Sequence, residues 1–242
     1  MPQDDKVYAI SANKINMGIQ CPFKLALYLM HIEPKEVDYS NTATGSAVHA
    51  FMEAMGNHTT HRDKYYIEGM YEKDPKRRQV VPDSHIDKMK LCMANGKKWY
   101  GTLDYVSEQS FKVPLVTPKG RNVLLNGRID AQTETELYDW KTSKSVKTDD
   151  YRRAAAIYDY ATGFQKKIIY KSLFNGDEYQ FPHASRDYVP ALCDQYIDRL
   201  LAFDFPRKRQ FLCKYCDYHD EYCFDGAETA SIPSLIDIPR ED

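Results

Sequence analysis

Residues 122–141 read NVLLNGRIDAQTETELYDWK, and the fold class is predicted mainly from this segment. It contains two β-rich runs separated by an acidic and threonine-rich break, which is typical of successive strands in a meander. Further strands are expected over residues 111–118, 166–174 and 177–183, with an Asn175-Gly176 turn between the last two. The sequence therefore predicts a sheet core over residues 110–185.

Helical patterns flank this sheet in the sequence. Apolar residues at three- and four-residue spacing predict one helix from Asn16 to Met30, and SAVHAFMEAM predicts a second with Thr44 or Ser46 as its cap. Further helices are expected over residues 86–109, 150–163 and 189–203. This order of elements predicts an α/β fold, with a mixed central sheet flanked by helices.

Length and charge set the outer bounds. The chain has 242 residues and a formal net charge of −2, so any nucleic-acid binding must come from local patches. We expect one domain, with a helical part (1–109), the sheet core (110–185) and a C-terminal helix and cysteine segment (186–242). No apolar run reaches transmembrane length, which predicts an intracellular protein without membrane contact, cytoplasmic or in the host cell if virus-encoded.

Four of the six cysteines form a pattern that indicates a metal centre. Cys213, Cys216 and Cys223 lie close together, whereas Cys21 lies almost the whole chain away. Thiolates at this spacing select zinc or an iron–sulfur cluster, and the distant fourth ligand would join the two ends of the chain. A Cys3His zinc site that uses His219 and leaves Cys21 aside is the alternative.

A second candidate site lies in the predicted strand pair. Asp130 and Asp139 are carboxylates on adjacent strands, which suit a hard divalent cation. Because strand side chains alternate, Asp139 and Lys141 share a face, and the lysine can orient a nucleophile or stabilise charge on a phosphate. His49 supplies the third ligand that a pair of aspartates lacks, and an imidazole would favour manganese alongside magnesium.

The order of these motifs resembles the PD-(D/E)xK nuclease superfamily, specifically its RecB-like, Cas4-like branch that carries an iron–sulfur cluster. The motifs are SANKINMGIQCPFK, GSAVHAFME, NGRID, YDWKTS, a tyrosine-bearing helix and a terminal C-x2-C-x6-C, and they span nearly the whole chain. The resemblance implies a restriction-endonuclease-like sheet. It also implies an N-terminal helical region joined to the C-terminal segment by the cluster.

The resemblance also implies roles for particular residues. His49, Asp130 and Asp139 would bind the catalytic Mn²⁺ or Mg²⁺, with the Trp140 backbone carbonyl as an extra ligand, and Lys141 would be the catalytic lysine. The implied ligands of a [4Fe–4S] cluster are Cys21, Cys213, Cys216 and Cys223.

The chain departs from the family at one position. The family follows the lysine with a QxxxY pattern, in which Tyr158 matches the tyrosine, a catalytic candidate, while Ala154 occupies the glutamine position. Arg152 or Arg153 would replace the missing amide through phosphate contact. The candidate DNA-binding residues are Lys97, Lys98, Arg152, Arg153, Arg207, Lys208 and Arg209.

The implied function is a metal-dependent deoxyribonuclease, with exonuclease action on single-stranded DNA or duplex ends and hydrolysis by a metal-activated water. The implied settings are recombination, CRISPR adaptation or viral DNA processing, with proteins of recombination or CRISPR adaptation as partners. The alternative is a non-catalytic DNA-binding or complex-assembly module that retains the fold and the cluster.

Overall fold

The structure is a computed structural model that describes residues 6–34, 40–56, 81–100, 104–146, 149–207, 213, 216–218 and 222–223. Its strands are β1 (Val7–Ser11), β2 (Val106–Val116), β3 (Asn122–Gln132), β4 (Glu136–Lys141), β5 (Lys167–Ser172) and β6 (Glu178–Phe181). Its helices are α1 (Ala12–Gln20), α2 (Pro22–Leu29), α3 (Ser40–Gly56), α4 (Asp83–Tyr100), α5 (Asp149–Ala161) and α6 (Tyr188–Ala202). None of the described helices is both long enough and apolar enough to cross a membrane.

The six strands form one mixed sheet centred on β3. Strand β2 pairs with β3 in antiparallel fashion along its full length. The opposite edge of β3 is shared, because β1 runs parallel to residues 122–126 and β4 runs antiparallel at residues 131–132. Strand β5 then pairs in parallel with β4, and β6 pairs in antiparallel fashion with β5 at the end of the sheet. The predicted mixed α/β sheet with flanking helices is confirmed.

Alternation along β4 sends successive side chains into different apolar clusters. Leu137 packs with Ile168 and with α5, whereas Tyr138 and Trp140 pack with α3 and α4. Trp140 is 1% exposed, and its ring lies 4.6 Å from that of Trp99. Burying side chains of this size stabilises the fold by about 1.5 to 3 kcal/mol each. Strand β4 is therefore fixed from both faces.

The N-terminal segment differs from the predicted single helix. It contains α1 and α2, which are separated at Cys21, and Pro22 begins the second helix. A proline favours the first turn of a helix and cannot continue the helix before it. Strand β1 was not predicted, since only Ile10 of its residues is fully buried and the segment lacks a clear alternating pattern.

Two predicted helix limits were wrong. Thr44 and Ser46 lie inside α3 rather than at its cap, and the Thr44 hydroxyl donates to the Ser40 carbonyl oxygen over 2.7 Å. Helix α4 ends at Tyr100, and residues 106–109 belong to β2. At position 96 of α4 a larger residue would displace Met52, because a Cβ atom there would lie only 2.4 Å from the Met52 sulfur of α3. The two helices therefore pack closely at this point.

Candidate metal centre and active site

Three side chains from three separate elements converge at the β2–β3 edge of the sheet. His49 of α3, Glu108 of β2 and Asp130 of β3 each offer a ligand atom, and these atoms all lie within 4.8 Å of one another. His49 Nδ1 is 3.5 Å from Asp130 Oδ1. An imidazole with two carboxylates fits Mn²⁺ or Mg²⁺, whose preferred ligands are oxygen and nitrogen. The residues present therefore fit a divalent cation.

Glu108 is the member of this set that sequence reasoning missed. The flanking pairs Ser107–Ala131 and Gln109–Ile129 place it opposite Asp130 in the ladder. Its φ of 55° is in the left-handed region, which is uncommon for a residue with a side chain and costs about 1 to 3 kcal/mol. Burial raises the pKa of Glu108, although Arg128 beside it acts in the opposite direction.

Asp130 is held by both the sheet and the helix. Its Oδ2 accepts a hydrogen bond of 2.8 Å from the Trp140 backbone N–H of β4. Burial favours the neutral acid, but His49 and the Trp140 amide outweigh it and lower the pKa of Asp130. Burial also disfavours the charged imidazole, yet the Asp130 carboxylate raises the pKa of His49 above its usual value. The two groups therefore stabilise each other's charge.

Asp139 and Lys141 form a second charged pair on β4. Asp139 is 3% exposed, and one of its oxygens contacts the Lys141 ammonium. Burial raises the pKa of Asp139, and Lys141 only partly offsets this. Burial lowers the pKa of Lys141, but the nearby carboxylates outweigh it and raise that pKa. Asp139 is not among the three residues whose ligand atoms lie within 4.8 Å of one another in the described part of the chain.

Aromatic rings surround this pair. The Lys141 ammonium lies 5.0 Å from the ring centre of Tyr151 and 5.2 Å from that of Tyr170. Tyr170 is fully buried on β5 as the Cα partner of Asp139, and sequence reasoning did not identify it. Burial, reinforced by Asp139, raises the pKa of Tyr158 and that of Tyr170 well above the usual value. Both phenols therefore remain neutral beside the carboxylate.

The candidate DNA-binding residues are dispersed. Arg153 ties α5 to α1, because its guanidinium pairs with Asp150 and donates to Asn16 Oδ1 over 2.9 Å. Arg152 is exposed on the same helix. Lys97 and Lys98 are exposed in the last turn of α4, and the Arg207 guanidinium lies 4.7 Å from the Phe23 ring centre. Lys208 and Arg209 lie outside the described residues.

The cysteine region brings α2 near the C-terminal segment. Cys21, Cys216 and Cys223 pack against one small apolar cluster of Phe23, Leu27 and Tyr218. The Tyr218 hydroxyl donates to the Ile32 carbonyl oxygen over 2.8 Å, and the Cys216 N–H donates to the Cys213 carbonyl oxygen over 2.9 Å.

The cysteine thiols influence one another across this contact. Burial first, and then the neighbouring Cys21 and Cys216, raise the pKa of Cys223. No three cysteine sulfurs lie within 4.8 Å of one another among the described residues. His219, the alternative zinc ligand, is outside the described range.

The convergence of His49, Glu108 and Asp130 beside the Asp139–Lys141 pair agrees with a comparison of families. The sequence model of the PD-(D/E)XK nuclease superfamily matches residues 9–223. The chain belongs to the PD-(D/E)XK nuclease superfamily. Membership implies a metal-dependent nuclease with a nucleic-acid substrate, and His49, Glu108 and Asp130 provide a candidate site for the metal.

The chain also has a similarity to a solved structure. The chain is similar to the crystal structure of a protein named SSO0001, with 14% sequence identity and a TM-score of 0.48. The alignment covers 90% of this chain and 87% of that chain. No curated protein matches the chain with a significant score.

Proposed function

We propose that this chain is a single-domain exonuclease of the RecB-like, Cas4-like branch, which cleaves DNA with Mn²⁺ or Mg²⁺. The observation that carries this proposal is the meeting of His49, Glu108 and Asp130 next to the Asp139–Lys141 pair. A cation site beside a partly buried ammonium suits the hydrolysis of a phosphodiester. Action on single strands or duplex ends rests on the resemblance of the motif order.

The cation would be held by His49, Glu108 and Asp130. Asp139 and the Trp140 carbonyl are proposed as further ligands on the same resemblance. A divalent ion in such a site polarises a phosphoryl oxygen and lowers the pKa of water, which supplies the nucleophile. The Trp140 N–H keeps the Asp130 carboxylate oriented, so the site is arranged before substrate arrives.

Lys141 is proposed to stabilise the charge that develops on the phosphate. Its side chain is 24% exposed, so the ammonium is both held by Asp139 and accessible to a ligand. The rings of Tyr151 and Tyr170 lie within cation–π distance of this ammonium, at 5.0 Å and 5.2 Å. A fixed charge in a partly dry site stabilises a transition state more than the same charge in water.

The four cysteines are proposed to bind a [4Fe–4S] cluster with a structural role, and zinc is the alternative. The support is the apolar cluster shared by Cys21, Cys216 and Cys223, and the effect of Cys21, Cys216 and Cys213 on the pKa of Cys223. Anaerobic purification followed by iron, sulfide and zinc analysis distinguishes the two. Zinc without iron, or neither metal, would contradict the cluster.

The biological setting follows the same resemblance. We propose an intracellular role in recombination, CRISPR adaptation or viral DNA processing, with proteins of those systems as partners. The substrate is proposed to be DNA, and the candidate cations Lys97, Lys98, Arg152 and Arg207 are exposed and available to contact its backbone.

The decisive experiment uses the anaerobically purified full chain with end-labelled single-stranded and duplex DNA. Mn²⁺, Mg²⁺ and chelator are compared, beside the Lys141→Met variant and an Asp204→Asn control on the exposed segment after α6. Progressive loss of end label that needs the metal and Lys141 is expected. If no DNA is cut under any metal condition while DNA is still bound, the non-catalytic module replaces the nuclease.

A further inference from the structure

Arg128 lies beside the candidate metal centre but is not one of its proposed ligands. It is on β3, two residues before Asp130, so the two side chains leave the strand on the same side. Its Nε is 2.5 Å from Glu108 Oε2. Arg128 therefore contacts one of the three proposed ligand residues directly.

The two partners of this ion pair differ in their access to solvent. The Glu108 side chain is 10% exposed, whereas the Arg128 side chain is 54% exposed. The carboxylate is thus directed into the site and the guanidinium lies at its mouth. Binding Arg128 through Oε2 leaves the second oxygen of Glu108 for a cation.

The guanidinium keeps most of its hydrogen-bonding capacity. Arginine has five N–H donors in a planar fork, and the contact with Glu108 is an ion pair through Nε in which Glu108 Oε2 receives no well-formed hydrogen bond. The Glu108 pair is the one polar contact of Arg128 found among the described residues. The remaining N–H groups have the geometry that matches two oxygens of a phosphate.

We propose that Arg128 binds a backbone phosphate of the nucleic-acid strand that lies in the metal centre. The inference rests on the proposed nuclease function and names a substrate-binding residue of that same site. Glu108 orients the guanidinium through Nε, and the other donors hold phosphate oxygens next to the cation ligands. A phosphate placed there is fixed relative to Lys141 before the bond is broken.

The test measures binding rather than cleavage, so it is independent of catalysis. Fluorescence anisotropy follows a labelled single-stranded oligonucleotide with Ca²⁺, at several salt concentrations, for wild type, Arg128→Gln and Arg128→Lys. The control is Lys167→Gln, because Lys167 is similarly exposed (58%) and pairs with Glu136 of the neighbouring strand β4. It removes one positive charge that is paired with Glu136 and not with a proposed metal ligand.

Arg128→Gln is expected to weaken binding about tenfold, because one charge-assisted phosphate contact is lost. The slope of log K against log salt is expected to fall by about 0.7, the value for one phosphate contact on a single strand. Arg128→Lys is expected to keep the slope and weaken binding about threefold, since a point charge replaces the fork. The Lys167→Gln control is expected to bind as wild type.

Unchanged affinity and slope in Arg128→Gln overturn the proposal, even if the variant changes Mn²⁺ affinity measured by calorimetry. That combination would assign Arg128 only to the orientation of Glu108. If Arg128→Gln does not fold by circular dichroism, Arg128→Lys decides, and wild-type affinity in it refutes the contact. Wild-type protein that neither binds nor cuts DNA would instead refute the proposed function.

Discussion

The two halves of the candidate site carry their negative charge differently. In the first half, Glu108 and Asp130 meet His49, and their ligand atoms converge on one point. In the second half, Asp139 is paired with Lys141 on the same strand. The carboxylates of the first half are offset only by the half-exposed Arg128 and by His49, which is charged only when protonated, whereas Asp139 is offset by the ammonium of Lys141. This difference supports the proposal that the first half holds the cation and the second presents the ammonium.

The largest expected effect comes from breaking the first half at Asp130. Asp130→Asn removes a charged ligand and the partner of His49 but keeps an oxygen for the Trp140 N–H. Loss of several kcal/mol of metal-derived stabilisation predicts a fall in cleavage rate of about 10³-fold. The measurement is single-turnover cleavage at saturating Mn²⁺, with circular dichroism to confirm folding. Cleavage within a few-fold of wild type would exclude Asp130 from the metal site.

A substitution of Lys141 breaks the second half of the site, the Asp139–Lys141 pair. Lys141→Met keeps an apolar stem beside Tyr151 and Tyr170 but removes the ammonium. Losing a preorganised charge predicts a fall in kcat of about 10²-fold, with the Mn²⁺ concentration for half-maximal activity unchanged. A Mn²⁺ titration of single-turnover rates measures both quantities. A large shift in the Mn²⁺ requirement would instead mean that Lys141 acts by holding Asp139 for the metal.

Glu108→Gln sharpens the comparison, because it changes the first half by replacing a carboxylate with a neutral amide of nearly the same shape. A neutral amide is a weaker ligand than a carboxylate, so the Mn²⁺ concentration for half-maximal activity is expected to rise about tenfold. The maximal rate at saturating Mn²⁺ is expected to change less than in Lys141→Met. Calorimetric Mn²⁺ titration checks the same shift without substrate. Equal Mn²⁺ affinity in variant and wild type would remove Glu108 from the ligand set.

The sequence predicted the second half of the site better than the first, for a physical reason. Asp139 and Lys141 are two residues apart on one strand, so alternation alone places them on one face. Glu108 joins Asp130 only through the register of β2 against β3, and its left-handed backbone breaks the local pattern. The same residue fell at the end of a predicted helix. An acid near a helix end gives no signal that it faces another strand.

The fold shows the same division between local and long-range information. Strands β3 to β6 follow from short-range patterning, and the mixed α/β sheet was predicted. Strand β1 is a strand because its backbone pairs with residues 122–126, more than a hundred positions away. The break between α1 and α2 was marked by Pro22, a proline with a cysteine before it. That signal was present in the sequence but was outweighed by the continuous apolar spacing on either side.

The smallest expected effect tests whether the second half needs its aromatic surroundings. The Tyr170 hydroxyl is buried next to Asp139 without a well-formed hydrogen bond. Tyr170→Phe is therefore expected to change the free energy of unfolding by less than about 1 kcal/mol, because little hydrogen-bond energy is lost. Tyr170 nevertheless lies close enough to Asp139 for the carboxylate to raise the pKa of the phenol. If the hydroxyl dipole orients the carboxylate that contacts Lys141, kcat falls about three- to fivefold in the variant at an unchanged Mn²⁺ requirement. Tyr160→Phe on α5, which packs in a different apolar cluster, is the matched control. If the two variants have equal kcat, the position of Lys141 is set by Asp139 alone, and the second half of the site is a simple ion pair.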